Sequence, residues 1–277
     1  MSAMNLTEKH ARLRGLIESY GSALVCYSGG VDSTLLLKVA HDVLDERCVA
    51  MVALSPTMAA SERKAALALA AEIGTRIEVT ESNELSRPDF RMNPKDRCYF
   101  CKDELLEHAA PLAERLGLRE VLLGTNTDDL GDYRPGLQAA KDHGARHPLV
   151  DATMSKAEVR ELSRELGLST WDKPQLACLS SRFPYGTEIT PERLSQVDLM
   201  EDGMRSLGFR QVRARWHGES VRLEVEAEVL ARTTEPEVRD SIVRLGRELG
   251  FTFVTVDLAG FSSGSLNQLL GIRKKPQ

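Results

Sequence analysis

The segment 22-SALVCYSGGVDSTLLLKVAHDVL-44 constrains the fold of this chain more than any other. Its first part, 22-SALVCYS-28, is a short apolar run with β-branched and aromatic members, the pattern of a buried strand. Two glycines stop it, and 33-STLLLKVAHDVL-44 resumes with apolar residues at helical spacing. A strand that runs through a glycine turn straight into a helix is half of a β–α–β unit. The alternation then repeats. Residues 48-CVAMVALS-55 read as a strand, 61-SERKAALALAAEIG-74 as a helix closed by Gly74, and 75-TRIEVTES-82 as a strand. A helix is expected over about 102–116, with Pro111 as a kink point, and 120-EVLLGTN-126 as a further strand. The expected fold class is α/β: a parallel sheet with helices on both faces, binding ligands beyond the carboxyl ends of its strands.

Downstream the pattern changes. Ser155 and Glu158 form a capping-box start for a helix that ends near Gly167. The linker 168-LSTWDKPQLACLSSRFPYG-186 follows, with no helical or strand period, a length that points to function or to disorder. Thr190-Pro191 opens a helix that Gly208 stops after about Leu207. Residues 210–216 and 220–226 alternate strictly around a His217-Gly218 turn, with Val212, Ala214 and Trp216, then Val221, Leu223 and Val225, on the apolar side. A helix over about 236–249 and a strand 251-FTFVTVDL-258 complete a smaller α+β domain. The domains are accordingly placed at 1–186 and 187–277.

Composition removes several function classes. The 277 residues are 42% hydrophobic and 28% charged, as in ordinary globular proteins, with a net charge of -5 that argues against a nucleic-acid partner. The first residues show no secretory pattern and no apolar run spans a membrane, so the cytoplasm is the expected compartment. Thiols stay reduced there, and neighbouring cysteines point to metal or catalysis.

The loop 28-SGGVDS-33 has the chemistry of a phosphate cradle. Gly29 and Gly30 let backbone N–H groups face an anion, Ser28 and Ser33 add hydroxyls, and the helix N-terminus adds partial positive charge. Asp32 repels a bare phosphate, so Mg²⁺ is the expected intermediary. A Walker loop is absent. The segment, Val31 included, resembles the PP-loop of the adenine-nucleotide alpha-hydrolase superfamily. That resemblance implies ATP cleavage between the α and β phosphates, pyrophosphate held by residues 28–33, and AMP transfer to a substrate oxygen. It also implies that Gly124, Thr125 and Asn126 of 124-GTNTDD-129 approach the nucleotide, that Asp128 or Asp129 reaches Mg²⁺, and that Ala53–Ser55 lie near the adenine.

Of five cysteines, Cys26 and Cys48 sit among apolar neighbours in expected strands and read as buried hydrophobes. Cys98 and Cys101, in 98-CYFCK-102, and Cys178, in 177-ACLSSR-182, read as loop residues. A Cys-x-x-Cys pair with a third cysteine suits a three-thiolate site; zinc with a histidine is the rival, although none of the six histidines has ligand spacing. Three unrelated cysteines are the plain alternative.

The blocks YSGGVDS, NPKDRCYFCK, GTNTDDLGDYRPG, KPQLACLSSRFPYG and FSSGSLNQ together resemble the LarE family, over about residues 10–272. These are ATP-dependent sulfur transferases of nickel-pincer nucleotide cofactor biosynthesis. The resemblance implies adenylation of pyridinium-3,5-biscarboxylic acid mononucleotide and its conversion to a thiocarboxylate. Cys178 matches the sulfur-bearing residue, which in single-cysteine members is sacrificed to dehydroalanine. With Cys98 and Cys101 present, the chain is similar instead to the members whose three cysteines hold a [4Fe-4S] cluster. The resemblance further gives Arg213 and Arg215 the substrate phosphate, places Ser181, Arg182 and Glu201 at the site, gives Arg134 a closing role, and implies a homo-oligomer. The residues alone read Arg213 and Arg215 as a solvated strand face beside Arg222, Glu224 and Glu226. Other readings are a tRNA-thiolating PP-loop enzyme, an amide-forming ligase, which would leave the cysteines idle, and a non-catalytic nucleotide sensor.

Overall fold

The computed structural model describes residues 4–131, 135–174 and 177–262. They form two compact units, Met1–Phe90 with Lys95–Leu176, and Arg91–Pro94 with Ala177–Gln277.

The first unit carries strands β1 (Ala23–Cys26), β2 (Cys48–Leu54), β3 (Arg76–Glu81) and β4 (Glu120–Leu123), all parallel, in the order β3-β2-β1-β4. Its helices are α1 (Leu6–Tyr20), α2 (Val31–Leu44), α3 (Ala60–Ile73), the short α4 (Pro88–Arg91), α5 (Arg97–Arg115), α6 (Gly136–Asp142), α7 (Pro148–Asp151) and α8 (Lys156–Glu165). Alternate residues of β1 serve two cores. Ala23 and Val25 pack with Leu13 and Ile17 of α1, Leu35 of α2 and Val159 of α8. Leu24 and Cys26 pack with Leu106 and Ala109 of α5 and Ala140 of α6. Burial on both faces is why these strands read as continuous apolar runs. The chain runs from β1 through β2 to β3 on one side and returns with β4 on the other. The order in which strands are added therefore reverses between β1 and β4, the place where such sheets bind ligands.

Most expected elements form, with shifted ends. The helix after the glycine loop begins at Val31 and the next at Ala60, closing on a left-handed Gly74. The helix expected over about 102–116 starts five residues earlier and runs through Pro111. Cys98 and Cys101 are therefore helical, not loop residues. Asp96 precedes this helix without a side-chain cap bond, so no start signal marks it, and the run RCYFCK is too short to show a period.

The second unit holds α9 (Pro191–Ser206), α10 (Pro236–Glu248) and the sheet β5-β6-β7, from β5 (Val212–His217), β6 (Ser220–Val225) and β7 (Phe253–Val256). β5 and β6 are antiparallel; β7 lies parallel to β6. The hairpin turns on Gly218 and Glu219, because His217 still pairs with Ser220 and Gly218 takes the positive φ that the turn requires. The units divide at residues 176/177, not near 187. The aperiodic stretch binds by its backbone to residues 91–94: Gly186 N–H donates to the Asn93 carbonyl at 2.9 Å and Ile189 N–H to that of Arg91 at 2.8 Å. Hydrogen bonds of this kind leave no period in the sequence.

Candidate active site

In the first unit the β1–α2 turn is shaped by its backbone. Gly29 has φ +72°, and a Cβ there would lie 2.8 Å from Ala66 Cβ of α3. A Cβ on Gly124, at the end of β4, would lie 2.8 Å from Ser33 N. Both glycines are thus demanded by close approach. Gly30 is the N-cap of α2 and no side chain caps that helix, so its first N–H groups are available to an anion. Ser33 is buried; its hydroxyl donates to Gly30 O at 3.1 Å, accepts from Ser28 N–H and meets Ser28 Oγ at 3.1 Å. The two serines of the motif define the turn before any ligand arrives. Thr125 stands half-buried between Gly124 and Asn126.

Asp32 lies in the first turn of α2. Its Oδ1 accepts from Asn126 Nδ2 at 2.9 Å and its Oδ2 from Lys156 Nζ at 2.6 Å. A part-exposed carboxylate at the mouth of an anion cradle is the donor type that magnesium takes together with a nucleotide. Asp128 and Asp129 each brace a backbone N–H. Asp128 Oδ2 accepts the Lys156 N–H at the start of α8, and Asp129 Oδ2 accepts the Asn126 N–H. Sequence reasoning missed Lys156, although it follows the capping-box serine. It also missed Lys173, whose Nζ donates to Gly29 O at 3.1 Å and to Glu62 at 2.6 Å. At the end of β2, Ser55 and Thr57 donate to the fully buried Glu84, as does Ser82 at the end of β3. Glu84 thereby ties the carboxyl ends of two adjacent strands.

The cysteines divide by environment. Cys26 and Cys48 are buried, and burial pushes their thiols up to about 11 and about 12, as suits inert core residues. Cys98 and Cys101 occupy the first turns of α5, three residues apart and so on one face, the first exposed and the second half-buried. Two thiols so placed suit a thiolate-held iron–sulfur group. Cys178 belongs to the second unit, at the N-cap of a short 3-10 turn, Leu179–Arg182. Among the described residues, no three His, Cys, Asp or Glu side chains gather to hold a metal ion.

Around Cys178 the second unit builds a buried ionic layer. Arg182 donates from Nε and Nη2 to both oxygens of Glu201, at 2.7 and 2.8 Å. Its Nη1 reaches the carbonyls of Ala177 and Cys178 and the Ser181 hydroxyl. Arg182 therefore fixes the backbone that carries Cys178. Glu201, fully buried on α9, also accepts from Arg205 and from Ala214 N–H. Burial alone would raise its carboxyl, but the Arg182 guanidinium outweighs that and holds it below the usual range. Arg215 forks onto Glu224 at 3.0 and 2.8 Å and donates to Ser181 O at 2.7 Å. Arg213 lies over the Phe261 ring at 5.2 Å. Its pKa falls to about 10, first through burial and then through the neighbouring Arg182 charge.

Arg213 and Arg215 are 6% and 5% exposed. The solvated strand face read from the residues alone is thus overturned. Both faces of β5 are buried, Val212 and Ala214 on one and the arginines on the other. Arg182, Arg205, Arg215 and Arg222 pair with the buried Glu201 and Glu224, with Asp202 and Asp257 at the edge, and Arg213 lies among them. Arg134 and the tail blocks from residue 263 onward lie outside the described residues. No helix among the described residues is long and apolar enough to cross a membrane.

No family model matches the chain. Among curated proteins, an uncharacterized protein of Synechocystis sp. (slr1717) is 46% identical over 265 residues, covering 96% of this chain and 99% of that one. The pyridinium-3,5-bisthiocarboxylic acid mononucleotide synthase of Lactiplantibacillus plantarum is 38% identical over 274 residues, 96% of each chain. An uncharacterized protein of Methanocaldococcus jannaschii (MJ0830) is 26% identical over 240 residues, 87% of this chain and 90% of that one. With its glycine–serine turn at the switch point of a parallel sheet, and near end-to-end identity with that synthase, the chain belongs to the LarE family.

Proposed function

We propose that the chain is an ATP-dependent, AMP-forming sulfur transferase that turns carboxylates of pyridinium-3,5-biscarboxylic acid mononucleotide into thiocarboxylates. The observation that carries the reading is the β1–α2 turn, an uncapped helix N-terminus at the switch point with Asp32 at its mouth. The name of the Lactiplantibacillus plantarum relative supports the product.

The chemistry runs in two steps. A substrate carboxylate oxygen attacks the α-phosphorus of ATP, the bond to the β-phosphate oxygen breaks, and pyrophosphate leaves. The N–H groups of Val31 to Ser33 and the Ser28 hydroxyl hold the departing phosphates, and Asp32 would hold a Mg²⁺ whose charge would offset theirs. A sulfur nucleophile then attacks the acyl carbon, the C–O bond to AMP breaks, and AMP leaves. When Cys178 is that nucleophile, the product is a thioester. Loss of its Cα proton and cleavage of its Cβ–S bond release the thiocarboxylate and leave dehydroalanine. Cys98, Cys101 and Cys178 are the residues that would hold a [4Fe-4S] cluster, which supplies a replaceable sulfide when bound and spares Cys178. Arg213 and Arg215 bind the mononucleotide phosphate, with Ser181 and Glu201 setting their positions.

Iron and acid-labile sulfide in anaerobically purified protein, with the intact mass after turnover, test the sulfur source. Near four iron per chain, lost in Cys98→Ala, supports the replaceable sulfide. No iron, with Cys178 converted to dehydroalanine, assigns the sacrificial route. Absence of both results, with no thiocarboxylate formed, would refute sulfur transfer.

A further inference from the structure

We infer that Lys156 binds the pyrophosphate end of the nucleotide, and that its ion pair with Asp32 is the resting arrangement that a magnesium nucleotide replaces. The inference rests on the ATP reading above and adds a residue to it. Lys156 Nζ stands 2.6 Å from Asp32 Oδ2, with the side chains 30% and 20% exposed, so the pair sits at the mouth of the loop and is reachable from solvent. A divalent cation and an ammonium group cannot share that oxygen without like-charge repulsion. When Mg²⁺ takes Asp32, the ammonium is displaced, and the nearest new negative charge is the triphosphate that arrives with the metal.

The backbone of Lys156 does not move in this exchange. Ser155 caps α8 in a full capping box with Glu158. Asp128 accepts the Lys156 N–H at 3.0 Å, and Lys9 of α1 binds both Glu158 and the Thr153 carbonyl at 2.7 Å. Only the four-carbon stem is left to swing, and a lysine stem does so readily. Lys173 is different. It donates to the Gly29 carbonyl and to Glu62 together, which fixes the turn from behind, and nothing in the exchange displaces it. The loop lacks the lysine that a Walker motif carries on its own helix; Lys156 supplies that charge from α8.

Binding of the magnesium complex of α,β-methylene-ATP and of AMP, measured by calorimetry on the full chain, tests this. Lys156→Met is expected to weaken the triphosphate analogue about tenfold or more, the worth of one charge-assisted hydrogen bond, and to change AMP affinity by less than about twofold. Lys156→Arg is expected to keep most of the triphosphate affinity. Equal loss for both ligands, or an unchanged triphosphate affinity in the Met variant, would make Lys156 a mere tie between α8 and α2 and overturn the inference. Wild-type protein that binds neither ligand would fell the ATP reading itself, and this inference with it.

Discussion

The two charged regions of this chain are built in opposite ways. The β1–α2 loop is made of backbone: Gly29 held by close approach, Gly124 pressed against it from the end of β4, an uncapped helix end, and side chains that remain part-exposed. The arginine layer around Glu201 and Glu224 is made of side chains, buried and cross-braced. A backbone cradle changes little in stability when its side chains change, because its acids and lysines keep contact with water. A buried ionic layer cannot lose one member without stranding another. Function and stability should therefore come apart in the first region and stay coupled in the second.

The largest effect is expected for Glu201→Leu, which strands the Arg182 guanidinium in a buried site. A loss of about 3–5 kcal/mol in urea unfolding is expected, and a loss under ~1 kcal/mol would break the comparison. Next comes Gly124→Ala, whose Cβ meets the backbone of Ser33 rather than a movable side chain. It should cost about 1–3 kcal/mol and abolish AMP formation, and a variant of normal stability and rate would show that the approach is not needed. Asp32→Asn should change stability by less than ~1 kcal/mol, since its ion pair is part-exposed, while AMP formation falls at least about tenfold. A large stability loss there would erase the contrast between the two regions.

The pH dependence follows from the same layer. The folded pKa of Glu201 lies below its ordinary 4.5, so its contribution is present above that value and lost as pH falls through the lower folded value. Arg213 has the opposite sense. Its folded pKa of about 10 lies below the ordinary guanidinium value, so the unfolded chain holds the proton more tightly. That cost is full below pH 10 and is relieved as pH rises above it. The urea midpoint of Arg213→Met relative to wild type, followed from pH 8 to 11, should show wild type gaining on the variant above pH 10. A constant difference would mean that the charge of Arg213 is already balanced. The smallest effect is chemical: brief iodoacetamide treatment of native protein should spare Cys26 and Cys48, and their labelling at the rate of exposed Cys98 would contradict their burial.

The same contrast explains what could be read in the sequence. The loop was legible because its shape falls on the adjacent residues 28-SGGVDS-33, between a strand and a helix that each show their period. The alternation of β1 through β4 was legible because both sheet faces are apolar. The arginine layer was not. Residues 182, 201, 205, 213, 215 and 224 are scattered along the chain, and arginines alternating with Val212 and Ala214 look like any wet strand face. The helix under Cys98 and Cys101 was hidden by an N-terminus with no side-chain cap. Lys156 was hidden because its partner, Asp32, lies 124 residues away. Periodicity alone placed Arg213 and Arg215 in solvent, and the burial of both arginines shows why it fails there.

The central claim is that one chain couples ATP cleavage at the α–β bond to thiocarboxylate formation. The most direct test incubates the anaerobic protein with ATP, Mg²⁺ and pyridinium-3,5-biscarboxylic acid mononucleotide, and quantifies nucleotide and acceptor products together. AMP, pyrophosphate and thiocarboxylate formed one for one, and lost in Asp32→Asn, are the predicted result. ADP with phosphate, or ATP cleavage only when tRNA is supplied, would contradict it.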